Sequence, residues 1–316
     1  MRNLRLSRTA FLLALAAALW SAAPAQGQKL LRWKFHAGDK ATLVMTMEMQ
    51  TKVTMQEKPA TMTTTSTMDM TTETLAVDDQ GVASLRQTFD RVRMKMQGPQ
   101  GVMMEYDSQS GKKPEGIAAM IAPMLEAMVG KPLTTKMDAR GRVLEVKLPE
   151  GLKESVGKMP GGGMVGEMFT PEGVKQMAEV ALLPEQVVRP GDTWACKAGM
   201  KNPMLGDLKM ETTFRYLGTE RRGGKELEKI GMEIVMQFGA DKMQLGGGQE
   251  AMVKITAQKN QGTMYFDAEA GRFVESESKS TMAMQISVLG QKIDQEIETT
   301  TKAQWKPLEG AKPAGP

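Results

Sequence analysis

One cysteine and one histidine occur in 316 residues, and each scarcity excludes chemistry. Cys196 alone makes no internal disulfide, so stability has to come from core burial and sheet hydrogen bonds. With no histidine near it in sequence, Cys196 reads as a small buried hydrophobe and not as a reactive thiol. A single histidine, His36, rules out His-rich metal sites and leaves a Ser-His-Asp arrangement only if His36 serves in it. It sits at a turn, and no Gly-x-Ser-x-Gly elbow exists to partner it. His36 is therefore expected at the surface. Phosphate-binding Gly-x-x-x-x-Gly-Lys motifs are also missing, because the glycine triplets at 161–163 and 246–248 lack the lysine and hydroxyl residue that should follow. Asp267 with Glu269 fits a hairpin turn better than a calcium loop. Paired carboxylates elsewhere are too common to identify a hydrolase.

Long apolar runs are missing too, with one exception at the start. Arg2, Arg5 and Arg8 precede an apolar stretch from Phe11 to Trp20, too short to span a bilayer comfortably, and Ala23-Pro24-Ala25 is a small-x-small site. This reads as a secretory signal over 1–25, with cleavage expected before Gln26. No cysteine follows it to carry a lipid. Three of the 41 Lys and Arg lie in this segment, so 38 remain against 37 Asp and Glu. A near-neutral mature chain with interspersed charges gives no nucleic-acid footprint.

What the chain has in excess is methionine, 30 in all. From Leu43 to Met55 the apolar residues Leu43, Met45, Met47, Met49, Val53 and Met55 fall on odd positions. Thr46, Glu48, Gln50, Lys52 and Thr54 fall on even ones. Period two predicts a long strand with one apolar face. The pattern recurs: a short strand over 31–35, a threonine-rich strand over 61–77 with Met62, Met68 and Met70 in phase, then a strand over 82–97. The phase of that third strand slips near Asp90-Arg91, which predicts a β-bulge. A short strand over 102–106 follows.

Ile117, Met120, Ile121, Met124, Leu125 and Met128 recur at helical spacing, with Pro123 interrupting, so a kinked helix is expected over 115–129. A hairpin pairs 133–137 with 142–146 across Asp138–Gly141. Residues 148–187 read as a helical connector, in which Thr170-Pro171 is a helix N-cap and first position. Strands resume after Pro190-Gly191-Asp192: 208–217, 227–238, 251–266, 272–280, 281–289 and 293–305. The tail, 307–316, has little to bury and is expected to be disordered.

Two sets of landmarks occur in the same order. Gly38-Asp39 resembles Gly191-Asp192 as a turn opening a strand, and Asp138–Arg142 resembles Asp267–Arg272 as a hairpin turn. The expectation is two duplicated β units, 28–147 and 188–306, flanking the connector. The opening Leu31–Lys40, the later Pro190-Gly191-Asp192-Thr193-Trp194 and the signal together resemble an exported bacterial family known only as a domain of unknown function. That resemblance implies an exported, β-rich protein and transfers no site residue.

The fold class expected is α+β and β-dominated. Ten to twelve antiparallel strands form curved sheets or an open barrel, with a few covering helices and the 115–129 helix lying over the methionine face. Three readings of the methionines stand. They fill a core, they line an adaptable apolar pocket, or their thioethers bind Cu(I). The functional expectation is a non-enzymatic exported protein, periplasmic or extracellular, without cofactor or metal site. It would hold a lipid or acyl chain between sheet and helix, lined by Met45, Met47, Met49, Met94, Met96, Met120 and Met124. The alternative is an envelope structural or interaction protein without ligand, and a Cu(I) protein comes third.

Overall fold

The computed structural model describes residues 27–307 apart from 56, 158–165, 203–205, 240–241, 246–248 and 290. The signal segment, both glycine triplets and the tail from 308 lie outside the described residues. Six strands come first: β1 (Lys40–Met55), β2 (Lys58–Val77), β3 (Ala83–Gly98), β4 (Gly101–Asp107), β5 (Pro132–Met137) and β6 (Val143–Lys147). Seven follow the connector: β7 (Thr193–Asn202), β8 (Gly206–Arg222), β9 (Lys225–Phe238), β10 (Lys242–Leu245), β11 (Gln249–Asp267), β12 (Arg272–Val288) and β13 (Gln291–Pro307). The helices are α1 (Ile117–Met128), α2 (Leu152–Gly157) and α3 (Pro171–Glu179), with a 3-10 turn at Gly166–Phe169.

All thirteen strands belong to one curved sheet, ordered β6-β5-β3-β2-β1-β13-β12-β11-β9-β8-β7, with β4 on β3 and β10 on β11. The pairings are antiparallel. The first and last strands meet in the middle, where β1 pairs with β13 along its whole length. The sheet does not close: its end strands are β6 and β7. Helix α3 packs against both of them and fills the seam. Its start is fixed as the sequence indicates, for Thr170 accepts from the Gly173 amide at 3.0 Å and Pro171 occupies the first position.

Period two decides the two faces. On β13, Ile293, Ile297, Thr301, Ala303 and Trp305 are buried or half-buried, whereas Lys292, Asp294, Glu296, Glu298 and Lys302 are exposed. The register carries this parity across the sheet. Met45 stands opposite Ala303 on one side and Met68 on the other, and Met68 stands opposite Val92. The result is an apolar inner face and a charged outer face. A membrane-spanning barrel has the reverse arrangement, with its apolar band outside. Among the described residues no helix is long and apolar enough to cross a membrane.

Both landmark pairs are realised as turns at one end of the sheet. The Gly38 amide donates to the Thr74 carbonyl at 2.8 Å and the Thr74 amide to Asp39 at 2.9 Å. The Gly191 amide donates to Tyr216 at 2.8 Å and the Tyr216 amide to Asp192 at 2.9 Å, the same two-bond clasp. In both cases the clasped strand shifts register within two residues. The bulge at Asp90 is present: Asp69 pairs with Arg91 and Met70 with Phe89, leaving Asp90 extra.

Two expectations need correction, and one strand was not expected. Residues 31–35 alternate but form no strand. The segment crosses the end of the sheet, with Trp33 donating to Ala139 at 2.8 Å and Lys34 to Gly271 at 3.0 Å. Its alternation reflects Leu31 and Trp33 facing the core while Arg32 reaches the carbonyls of Pro184 and Glu185 at 2.6 Å. Residues 272–280 and 281–289 are not two strands but the single β12, because no turn residue separates them. The short β10 had no reading at all.

Candidate functional site

The inner face is closed at the turn end and only partly covered elsewhere. At the turn end Leu31, Leu182, Leu183, Val188, Phe214, Tyr216, Ile230, Phe266 and Phe273 form one core, with Trp33, Trp194 and Trp305 against it. Trp33, Phe266 and Phe273 meet edge to face, with centroids 5.1 to 6.3 Å apart. A buried polar group sits inside this plug. Glu228 accepts from the Tyr216 hydroxyl in a very short bond and from Thr219 at 3.0 Å, and pairs with Lys29 at 3.0 Å. Burial, reinforced by Glu228, pushes the Tyr216 phenol up to about 12. Cys196 lies here as well. It is buried, bonded through its thiol to the Leu182 carbonyl, and its pKa is raised by desolvation. It is an inert core residue.

The second cover is α1. Its Ala118, Ala122 and Leu125 pack on Val92, Met104 and Tyr106, with Met68, Met94, Met96, Ile121 and Met124 around them. Alanines on the contact side let the helix sit close to the sheet. Ala127 and Met128 continue onto α2 through Leu152 and Val156. Met94, Met96 and Met124 thus lie together under or beside the helix. Met120 does not: it is 51% exposed on the opposite side of α1. The helix is nearly free of charge, with Glu126 its one ionisable residue, so its outward side is apolar as well.

Between these covers the inner face is half-exposed. Met45, Met47 and Met49 are half-buried and belong to neither core. Across β13, β12 and β11 the inward residues are small. Thr301, Ser278 and Gly262 make one cross-strand row, and Thr299, Ser280 and Asn260 the next. A Cβ added to Gly262 would lie 2.7 Å from the Glu277 carbonyl oxygen, so glycine is required there. The strip of short side chains runs beside the β1 methionines and leaves the inner face shallow there. Toward the open end the face turns apolar again, with Met282, Met284, Ile286, Ile293, Ile297, Val253 and Ile255 all half-buried. These residues were absent from the expected lining. Their parity was legible, even positions on β12 and odd on β13, but dividing β12 at residue 280 hid its length.

Near this region β9 and β11 part company. Their ladder ends at Gln261 opposite Glu233. Beyond it, side-chain amides replace main-chain ones. Asn260 donates to Ile234 at 3.0 Å, and Gln258 both accepts from the Met236 amide at 3.1 Å and donates to its carbonyl at 2.7 Å. Backbone groups that would be orphaned in an apolar surface are thereby satisfied.

The outer face carries a separate groove of about 830 Å³ across β8, β9, β11, β12 and β13. Arg215, Glu233, Glu277, Lys279 and Lys302 line it, and Arg222 stacks 4.2 Å over the Tyr265 ring while pairing with Glu275. It is a charged surface. His36 is exposed at the turn end, its Nδ1 3.2 Å from Asp39. Among the described residues no cluster of three His, Cys, Asp or Glu stands ready for a metal.

A family model described as a family of unknown function (DUF6263) matches residues 80–273. The chain belongs to that family. The matched region runs from the β2–β3 turn to the start of β12, so it holds α1, the connector and the parting of β9 from β11. No curated protein matches the chain. Among solved structures, one titled for lipid–protein interactions in lipovitellin is 11% identical, with a TM-score of 0.47 over 89% of this chain and 27% of that one. This chain therefore spans about a quarter of that protein's length. An outer membrane channel from Pseudomonas putida F1 is 7% identical, with a TM-score of 0.26 over 90% of this chain and 98% of that one. The hypothetical lipoprotein YmcC of Escherichia coli K12 is 11% identical, with a TM-score of 0.22 over 94% and 98% of the two chains.

Proposed function

We propose that this protein is a non-enzymatic, exported carrier that holds a lipid or acyl chain against the inner face of its sheet. One observation carries the reading: Met45, Met47 and Met49 on β1, and Met282, Met284, Ile293 and Ile297 on β12 and β13, are half-buried inward residues that belong to neither the α1 cluster nor the aromatic plug. A core of this size left half-exposed is unfavourable in water at roughly 25 cal/mol per Å² of apolar surface. A flexible apolar ligand removes that surface from water. Methionine suits the task, because an unbranched thioether side chain adapts to acyl chains of differing length and kink. Met45, Met47 and Met49 are the lining on one side, and Met282, Met284 and Ile297 on the other. Met94, Met96 and Met124 support α1 as the cover, and Met120 is its outward flank. The charged outer face, together with the secretory signal expected over 1–25, fits a protein that works in solution outside the cytoplasm. The matching clasps at Gly38-Asp39 and Gly191-Asp192 fit an origin by duplication.

The test is native mass spectrometry and lipid extraction of protein purified from its own host. A co-purifying apolar molecule, lost on solvent extraction together with thermal stability, supports the reading. A lipid-free protein of unchanged stability that takes up no fatty acid or phospholipid removes it.

A further inference from the structure

We propose that the open end of the sheet docks on an anionic lipid bilayer. The tips there carry large apolar side chains that none of the described residues covers. Leu289 is 79% exposed, Met252 59% and Val102 55%, with Met55 and Met103 also exposed. The antiparallel register brings the first of these together: Val288 pairs with Ala251 and with Gln291, and Met55 stands opposite Ile293. The β3–β4 tip with Val102 and Met103 lies at the same end of the sheet.

Leu289 is the telling residue. Its φ is 50°, the left-handed region that Gly or Asn fills with less strain than leucine. Turn chemistry therefore disfavours leucine at this tip, and packing among the described residues leaves it exposed. A contact outside the chain accounts for both. The charges beside the tips suit anionic headgroups. Lys58, Lys254 and Lys292 are each without a carboxylate partner among the described residues, while nearby Glu250 is held by Lys242 at 3.2 Å. Glu57 in the β1–β2 turn and Asp294, on the same cross-strand row as Lys254, are opposing charges. Apolar tips with lysines behind them match the pattern of interfacial anchoring, in which side chains enter the headgroup layer and ammonium groups stay at its surface. The tips continue into the inner row Ile293, Ile286 and Val253, so a docked bilayer would meet the apolar face without a polar gap. The proposal rests on the carrier reading for what crosses the rim, but the contact itself is tested apart.

The experiment is flotation of the full mature chain with phosphatidylcholine vesicles containing phosphatidylglycerol. Four proteins are compared: wild type, Leu289→Asn alone, the triple variant Met55→Ser/Met252→Ser/Leu289→Asn, and a control with Leu75→Asn/Leu144→Asn at the closed end. Wild type and control are expected to float. The triple variant is expected to partition about tenfold or more weakly, and Leu289→Asn to weaken partition while raising the melting temperature. Wild-type protein that does not float overturns the proposal, as does a triple variant that floats like wild type. It also falls if Leu289→Asn turns a dimer into a monomer in light scattering, since the tips would then meet a second copy. Lipid content after purification is read separately, so a lipid-free protein that still floats through these tips sinks only the carrier reading.

Discussion

The Tyr216 hydroxyl donates a hydrogen bond to a carboxylate that is almost wholly buried, and Lys29 closes the same group from the solvent side. Removing the hydroxyl leaves Glu228 short of a donor inside an aromatic plug. Tyr216→Phe is expected to lower stability by about 1–3 kcal/mol in urea unfolding. Asp107 makes a different prediction. Two bonds from Arg91, at 3.0 and 2.6 Å, and the Gln109 amide hold its carboxyl at about 2, below the ordinary 3.8. A depressed folded-state pKa means stability that is complete above pH 3.8 and lost as pH falls through about 2. Asp107→Asn is expected to flatten the acid limb of the unfolding midpoint across that window, and an unchanged limb would contradict the assignment. At Gly262 the required absence of a Cβ predicts that Gly262→Ala destabilises by roughly 1–3 kcal/mol through the clash with the Glu277 carbonyl and the Ser278 side chain.

At the scale of elements, α1 is a cover built to be loose. No side chain caps its N-terminus, its last turn has no basic residue, and Pro123 lies inside it. A proline in a helix interior costs on the order of 3 kcal/mol. Pro123→Ala is expected to slow amide hydrogen exchange over 117–128 and to slow fatty-acid uptake and release, with the rest of the sheet unchanged. Faster exchange in that segment would contradict the role as a yielding cover. The element scale also shows what sequence made legible. The alternation of Met45, Met47 and Met49 was plain because the polar residues Thr46, Glu48 and Gln50 alternate with them, and the bulge at Asp90 showed as a slip of phase. On β12 and β13 the middle inward residues are Ser276, Ser278, Ser280, Thr299 and Thr301, so polar residues fall on both faces and the pattern blurs. In α1 apolar residues occur all round, so spacing alone placed Met120 and Met124 on one stripe, whereas close packing is made by the alanines. The seam at α3 joins strands nearly fifty residues apart, and no local signal reports a contact of that range.

For the whole molecule, the decisive property is the direction of its polarity. The thirteen-stranded sheet carries its charges outside and most of its strand methionines inside, the inverse of a membrane barrel, which is the arrangement the carrier reading requires. Its closed end is sealed by aromatic rings and by the segment 29–36 and its seam by α3, whereas none of the described residues seals its open end. The central claim is that an acyl chain lies along the inner face. The most direct measurement is photo-crosslinking with a fatty acid bearing a diazirine along its chain, followed by peptide mapping. The account predicts adducts on inward positions of β1, β12 and β13, among them Met45, Met47, Met49, Met282 and Met284. Adducts confined to the outer groove, or none above those on unfolded protein, would contradict it.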